Sequence, residues 1–135
     1  MREIRRWAIY YLPAEKSAFA RFGADWLGWD TPAGPAPDGF AVPGLPRSRA
    51  DLTAQPRKYG FHATLKAPFV LGDDREPAAL DAAITALAGE FEPFALPRVL
   101  DALGSFVALV PAAPSPSLAA LAAACVTRLD AFRAP

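Results

Sequence analysis

The segment YGFHATLKAPF, residues 59–69, carries the most informative pattern in this 135-residue chain. Because side chains alternate between the two faces of a β-strand, the odd-numbered positions form an apolar and aromatic face. His62, Thr64 and Lys66 share the opposite face, with about 7 Å between successive side chains. The pattern therefore predicts a strand over residues 59–66 with one apolar face and one polar face.

The polar face of this strand combines three groups that can act on a phosphate. Histidine is a side chain that can serve as a general acid or base, so the imidazole of His62 could accept or donate a proton. The Thr64 hydroxyl can donate a hydrogen bond to a phosphate oxygen, and Lys66 supplies a positive charge. The alternative interpretation is a half-exposed strand whose polar side chains are simply solvated.

The rest of the chain predicts an α+β domain with the element order β-α-loop-β-α-β-β-α. Helices are predicted after Ser17, Glu76 and Ser115, each with apolar residues at helical spacing. The other predicted strands cover residues 6–12, 94–103 and 105–111. Because Phe106–Val110 is apolar on both faces, we expect the last of these strands to lie in the centre of a sheet. Pro68 should end the His62 strand or confine it to a sheet edge.

The length predicts a single domain over residues 1–135. Within it, residues 30–56 are rich in proline and glycine and predict a long loop. Loops of this length tend to be functional or disordered. A substrate lid and an ordinary insertion are both consistent with this composition.

Composition and charge exclude several classes of protein. Lys and Arg together number 14, as do Asp and Glu, so the net charge is +0. Duplex DNA binding usually requires a basic excess, so we expect no duplex DNA partner. The single Cys125 excludes an internal disulfide and, with one histidine, a structural zinc site. The single cysteine fits a reducing, cytoplasmic setting. No segment approaches the ~20 apolar residues of a membrane helix, so we expect no membrane partner.

The segment 59–69 strongly resembles the first His-x-Thr signature of the 2H phosphoesterase superfamily. More narrowly, the chain resembles the DUF1045 branch, whose members are associated with phosphonate metabolism through phosphonate-utilisation operons. Further stretches carry the same resemblance: WAIYY at 7–11, ARFG at 20–23, GSFVALVP at 104–111, and the tail at 123–135.

The resemblance implies one lobe of the bilobal 2H fold, an antiparallel sheet with helices packed on one face. It implies that His62 is the catalytic proton carrier and that Thr64 and Lys66 contact the phosphate. Tyr10 and Tyr11 point to opposite faces of their strand, so at most one lines the cleft, and we choose Tyr10. The resemblance also implies a phosphodiesterase, and so a hydrolase, that needs no metal and no cofactor. Its substrate would be a cyclic or 2′-5′ nucleotide-like phosphodiester.

The sequence departs from this family pattern because it contains one histidine, and the superfamily uses two His-x-Thr motifs. We therefore expect a truncated N-terminal lobe with its linking helix and without the second lobe, inactive by itself. A homo-oligomer formed through the exposed lobe face would be another way to complete the site. The alternative function is a non-catalytic nucleotide- or phosphate-binding module, or an inactive half-domain.

Overall fold

A computed structural model describes residues 5–36, 39 and 41–135 of the chain. Its helices are α1 (Ala18–Leu27), α2 (Arg49–Leu52), α3 (Pro77–Ala88) and α4 (Pro116–Arg128), with short 3₁₀ helices at Pro56–Lys58 and Asp130–Phe132. Its strands are β1 (Arg6–Tyr11), β2 (Trp29–Asp30), β3 (Gly34–Pro35), β4 (Ala63–Val70), β5 (Arg98–Leu103) and β6 (Phe106–Pro111). The mixture of helices and strands confirms the α+β class.

The three long helices begin where the sequence predicts. The Ser17 hydroxyl caps α1 by accepting a hydrogen bond from the Ala20 amide at 3.1 Å. The Ser115 hydroxyl caps α4 in the same way, accepting from the Leu118 amide at 3.2 Å. Each side chain satisfies one of the amides that a helix start leaves without a partner. Helix α3 begins directly at Pro77, whose missing amide hydrogen suits a first helical position.

The described strands form three sheets of two strands each: β1 with β4, β2 with β3, and β5 with β6. The two-stranded ladders β2–β3 and β5–β6 are antiparallel. The sequence analysis instead expected one antiparallel sheet with helices on one face. Apolar patterning identifies a segment as a strand but does not determine its partner, which depends on tertiary packing.

The strand after His62 starts later than predicted and runs further. It covers Ala63–Val70 rather than 59–66, so His62 lies directly before it. The 3₁₀ helix at Pro56–Lys58 and the left-handed backbone of Gly60, at φ 75°, turn the chain just before the strand. Pro68 lies inside β4, which is tolerated because both strands of a two-stranded sheet are edge strands.

The prediction that residues 106–110 form a central strand is wrong. Strand β6 pairs with β5 from Leu103↔Phe106 to Arg98↔Pro111, and among the described strands it has no other partner. Leu100 is 73% exposed and Val107 is 67% exposed. A continuous apolar run shows that burial would be favourable, but it does not show that another element of the chain provides it.

The described residues divide into two compact units. One unit combines the described residues up to Ile9 with Leu65–Pro135, and the other is Tyr10–Thr64. The first unit has an apolar core whose buried members are Ile9, Phe69, Leu80, Leu87, Cys125 and Leu129. This confirms that the apolar stripes predicted for α3 and α4 face a core.

The tail of the chain packs along the end of β4 in the first unit. Leu71 and Arg133 form an antiparallel bridge. The Gly72 amide donates to the Phe132 carbonyl at 3.0 Å, and the Ala134 amide donates to the Val70 carbonyl at 2.8 Å. The last residues are therefore an ordered part of this unit.

The predicted loop over residues 30–56 contains regular structure in part. Strand β3, with its partner β2 at the start of the loop, and helix α2 lie in it, whereas residues 37, 38 and 40 are outside the described residues. Within the described residues, no helix has the length and apolar content that a membrane span would need.

Candidate functional site

The His62 side chain is held by a hydrogen bond to a nearby backbone carbonyl. Its Nδ1 lies 2.9 Å from the Gly60 carbonyl oxygen. Because a carbonyl can only accept, this contact requires the hydrogen on Nδ1. No hydrogen bond to Nε2 is found among the described residues, and the side chain is half-buried. The imidazole is thus oriented by one nitrogen while the other can meet a ligand.

Two tyrosines lie beside this imidazole. The Tyr10 ring stacks on it, with ring centroids 4.0 Å apart and an interplanar angle of 28°. The Tyr59 ring is tilted at 46°, with its centroid 6.4 Å away, and the residue is 59% exposed. The structure therefore brings the predicted residue Tyr10 to His62.

Tyr59 was not predicted as a site residue, because alternation along a strand would place it on the face opposite His62. Residues 59–62 precede β4, so strand alternation does not apply to them. The signal that could have revealed this was the combination of Pro56 with Gly60, since proline and glycine mark turns.

Phe61 anchors the His62 segment to α1. Its ring makes edge-to-face contacts with Phe19, at a centroid distance of 5.0 Å, and with Phe22, at 6.4 Å. Gly23 of the same helix is buried beneath this ring, and a Cβ at that position would lie 2.0 Å from Cδ1 of Phe61. The glycine therefore allows the ring to pack directly on the helix backbone.

Arg57 holds the preceding turn in place. Its Nε donates to the Leu27 carbonyl at 2.8 Å, at the end of α1. One terminal nitrogen donates to the Ala50 carbonyl at 3.0 Å and to the Thr53 hydroxyl at 2.7 Å. Thr53 is almost fully buried, with 1% exposure. These bonds give Arg57 a structural role in positioning the segment that ends at His62.

Thr64 is the second residue of β4 and is exposed. Its hydroxyl is therefore accessible to a ligand, two residues beyond His62. Both residues belong to the same compact unit as Tyr10. The role of Thr64 in holding a phosphate stays a prediction.

Lys66 is buried, with 6% exposure, and it belongs to the other unit. Its Nζ donates to the Val126 carbonyl at 3.0 Å and to Asp130 Oδ1 at 3.2 Å. Hydrogen bonds from Arg133 and then from Lys66 lower the pKa of Asp130. The Lys66 ammonium is thus engaged with groups of the protein, and its predicted contact with a phosphate stays a prediction.

The described residues contain no cluster of three or more His, Cys, Asp and Glu side chains that could hold a metal ion. Cys125 is buried in the core of the first unit, and burial raises the pKa of its thiol. A buried thiol with a raised pKa is a poor nucleophile and a poor metal ligand.

Comparison with known families gives a match over residues 64–135 to DUF1045, described as a protein family of unknown function. The match covers more than half of the chain and includes β4 from its second residue and every element that follows it. The chain belongs to this family. The predicted DUF1045 resemblance is therefore confirmed, whereas the wider resemblance to 2H phosphoesterases stays a prediction.

Two curated relatives are similar to almost the whole chain. A protein of Laribacter hongkongensis (strain HLHK9), named ribose 1,5-bisphosphate phosphokinase PhnN, is 36% identical over 133 residues, which is 96% of this chain and 31% of the relative. A protein of the same name from Janthinobacterium sp. (strain Marseille) is 39% identical over 133 residues, 96% of this chain and 29% of the relative. The chain thus spans less than a third of each relative. No solved structure matches the chain.

The names of these relatives overturn the predicted activity. The sequence analysis predicted a phosphodiesterase, and therefore a hydrolase, but both relatives are named as kinases. That prediction is wrong. A lone His-x-Thr string is compatible with any reaction that handles a phosphate, because the same side chains bind a phosphate in a diester, a monoester or an anhydride.

Proposed function

We propose that this chain supplies part of the sugar-phosphate site of a ribose 1,5-bisphosphate phosphokinase that acts in phosphonate metabolism. The two relatives that match 96% of the chain carry this enzyme's name. The chain also belongs to DUF1045, the family whose resemblance implied a role in phosphonate metabolism. The whole enzyme's reaction would also need the parts of the relatives that this chain does not span.

The observation that carries the proposal is the setting of His62. Its ring is fixed by the Gly60 carbonyl and by the Tyr10 ring, which leaves Nε2 for a ligand. Protonated Nε2 donates a charge-assisted hydrogen bond to a phosphate oxygen, and such bonds are stronger than neutral ones. The proposal also includes the Thr64 hydroxyl, which is exposed two residues further on, as a second donor to the phosphate.

The chain is assigned to the sugar-phosphate end of the reaction rather than to the nucleotide end. Phosphokinases of the P-loop type cradle the nucleotide phosphates with a Gly-x-x-x-x-Gly-Lys-Ser/Thr motif. Lys16, Lys58 and Lys66 are the three lysines of this sequence, and none follows a glycine. The nucleotide would therefore be bound by another part of the enzyme.

Isothermal titration of the 135-residue chain with ribose 1,5-bisphosphate tests this proposal. We expect saturable binding by the native chain. In the His62→Ala variant, binding should weaken by about 10- to 100-fold, since a hydrogen bond to a charged group contributes about 1.5–3 kcal/mol.

Lys16→Ala is the matched control, because it removes an exposed cation from the same compact unit without touching the imidazole. This variant should bind like the native chain. Absence of binding by the native chain would overturn the proposed function. Equal affinity in the native and His62→Ala chains would show that the sugar phosphate binds elsewhere.

A further inference from the structure

We propose that Gly60 is a positioning residue that sets the tautomer of His62 and makes Nε2 the nitrogen that gains and loses the proton. This inference deepens the proposed function and rests on it for the identity of the ligand. The tautomer itself is a property of the chain without ligand.

The hydrogen bond between Nδ1 and the Gly60 carbonyl distinguishes the forms of the imidazole. The neutral ring with hydrogen on Nδ1 keeps this bond, and so does the doubly protonated cation. The neutral ring with hydrogen on Nε2 would instead direct the Nδ1 lone pair at the carbonyl oxygen, 2.9 Å away, and lose the bond. The carbonyl therefore favours the two forms that differ by one proton on Nε2.

The conformation of residue 60 is what places this carbonyl. Gly60 has φ 75°, a left-handed conformation that glycine adopts without the steric cost a side chain would incur. A Cβ at this position would lie 2.2 Å from the Thr31 Oγ1 and 3.2 Å from the Thr31 Cβ. Both the backbone angle and the contact with Thr31 thus require glycine here.

The groups that face the imidazole do not compete with the carbonyl for its protons. Tyr10 presents the face of its ring at a centroid distance of 4.0 Å, and Tyr59 is tilted at 6.4 Å. Stacking restricts rotation of the imidazole out of its plane, so that Nδ1 stays directed at the carbonyl. Neutral Nε2 then accepts a hydrogen bond from a ligand hydroxyl, and protonated Nε2 donates one to a phosphate oxygen.

Nitrogen-15 NMR of the ligand-free chain tests the inference. His62 is the single histidine, so both ring nitrogen signals belong to it without further assignment. In alkaline solution, where the ring is neutral, we expect a protonated-type signal for Nδ1 and an unprotonated-type signal for Nε2. On acidification, the Nε2 signal should show the larger change. The opposite pattern, with the hydrogen on Nε2 in the native chain, would overturn the inference.

Substitutions at Gly60 and at its neighbour Thr31 distinguish an effect on the His62 tautomer from an effect on folding. Gly60→Ala should displace the carbonyl and convert His62 to a mixture of tautomers. Thr31→Gly combined with Gly60→Ala removes the steric contact but keeps the strained backbone angle, so it should restore the native pattern in part. Gly44→Ala is the control: residue 44 is also left-handed, at φ 79°, but a Cβ there meets nothing within 4 Å. This control should keep the native tautomer.

Several outcomes would contradict the role of Gly60. A folded Gly60→Ala chain with the native tautomer would show that residue 60 need not be glycine. Signals of the double variant that match those of Gly60→Ala would show that the Thr31 contact does not contribute. Because none of these measurements contains a ligand, they can fail while sugar-phosphate binding succeeds, and the reverse also holds.

Discussion

Phe61 shows how a neighbouring residue, rather than the strand, gives His62 its position. The Phe61 ring packs on α1 above Gly23, while the imidazole of the next residue lies beside Tyr10 and Tyr59. The sequence predicted that His62 and Phe61 would point in different directions. It could not predict Tyr59 as a neighbour of His62, because one left-handed residue at Gly60 changes the directions that strand alternation assigns.

We expect Gly23→Ala to destabilise the chain by about 1–3 kcal/mol, the usual cost of overpacking a well-filled core. The added methyl would lie 2.0 Å from the Phe61 ring. The cost of this clash should exceed the gain of about 1 kcal/mol from replacing glycine in a helix. Chemical denaturation of the two chains measures the difference. Gly89→Ala is the control, since its Cβ would make ordinary contacts at 3.5 and 3.6 Å. Equal stability of Gly23→Ala and the native chain would show that Phe61 is not anchored as described.

At the scale of elements, the sequence predicted that β4 is a strand but not where it begins and ends. The apolar and polar alternation was real evidence for a strand, yet the turn at Pro56–Lys58 and Gly60 shifted its start to Ala63. The burial of Lys66 could not be read from the sequence, because its partners Val126 and Asp130 are about 60 residues away along the chain. Long-range pairing of this kind depends on tertiary packing and leaves no local pattern.

The Lys66–Asp130 contact ties the tail of the chain to β4, and we expect it to depend on pH. The pKa of Asp130 is lower in the folded chain than its ordinary value of 3.8, chiefly because of Arg133 and then Lys66. The ionised carboxylate therefore stabilises the fold above about pH 3.8, and this contribution is lost as the pH falls through the folded pKa.

Asp130→Asn should accordingly be less stable than the native chain at pH 7, and the difference should shrink as the pH approaches 3. Denaturation curves across this range measure it, with amide exchange at Gly72 and Ala134 reporting on the tail locally. Asp81→Asn, an exposed substitution on α3, is the control and should change little. A difference for Asp130→Asn that stays constant from pH 7 to pH 3 would rule out the carboxylate charge as its source.

At the scale of the whole molecule, the α+β class and the DUF1045 family were predictable from the sequence, and the activity was not. The DUF1045 match covers the contiguous residues 64–135, so recognising it requires no tertiary information. The chain spans 31% and 29% of its two curated relatives, so the reaction proposed for the whole enzyme would also draw on residues outside this chain. The β5–β6 hairpin exposes large apolar side chains, and large exposed apolar patches are typical of interaction surfaces. A homo-oligomer formed through such a face stays a prediction.

The central claim is that a sugar phosphate is held at Nε2 of His62. Titration of the ¹⁵N-histidine-labelled chain with ribose 1,5-bisphosphate, followed at both ring nitrogens, tests it most directly. We predict a saturable change in the Nε2 signal, while the Nδ1 signal keeps the value set by the Gly60 carbonyl. Ring nitrogen signals that stay unchanged at concentrations where the sugar phosphate saturates the chain would contradict the account.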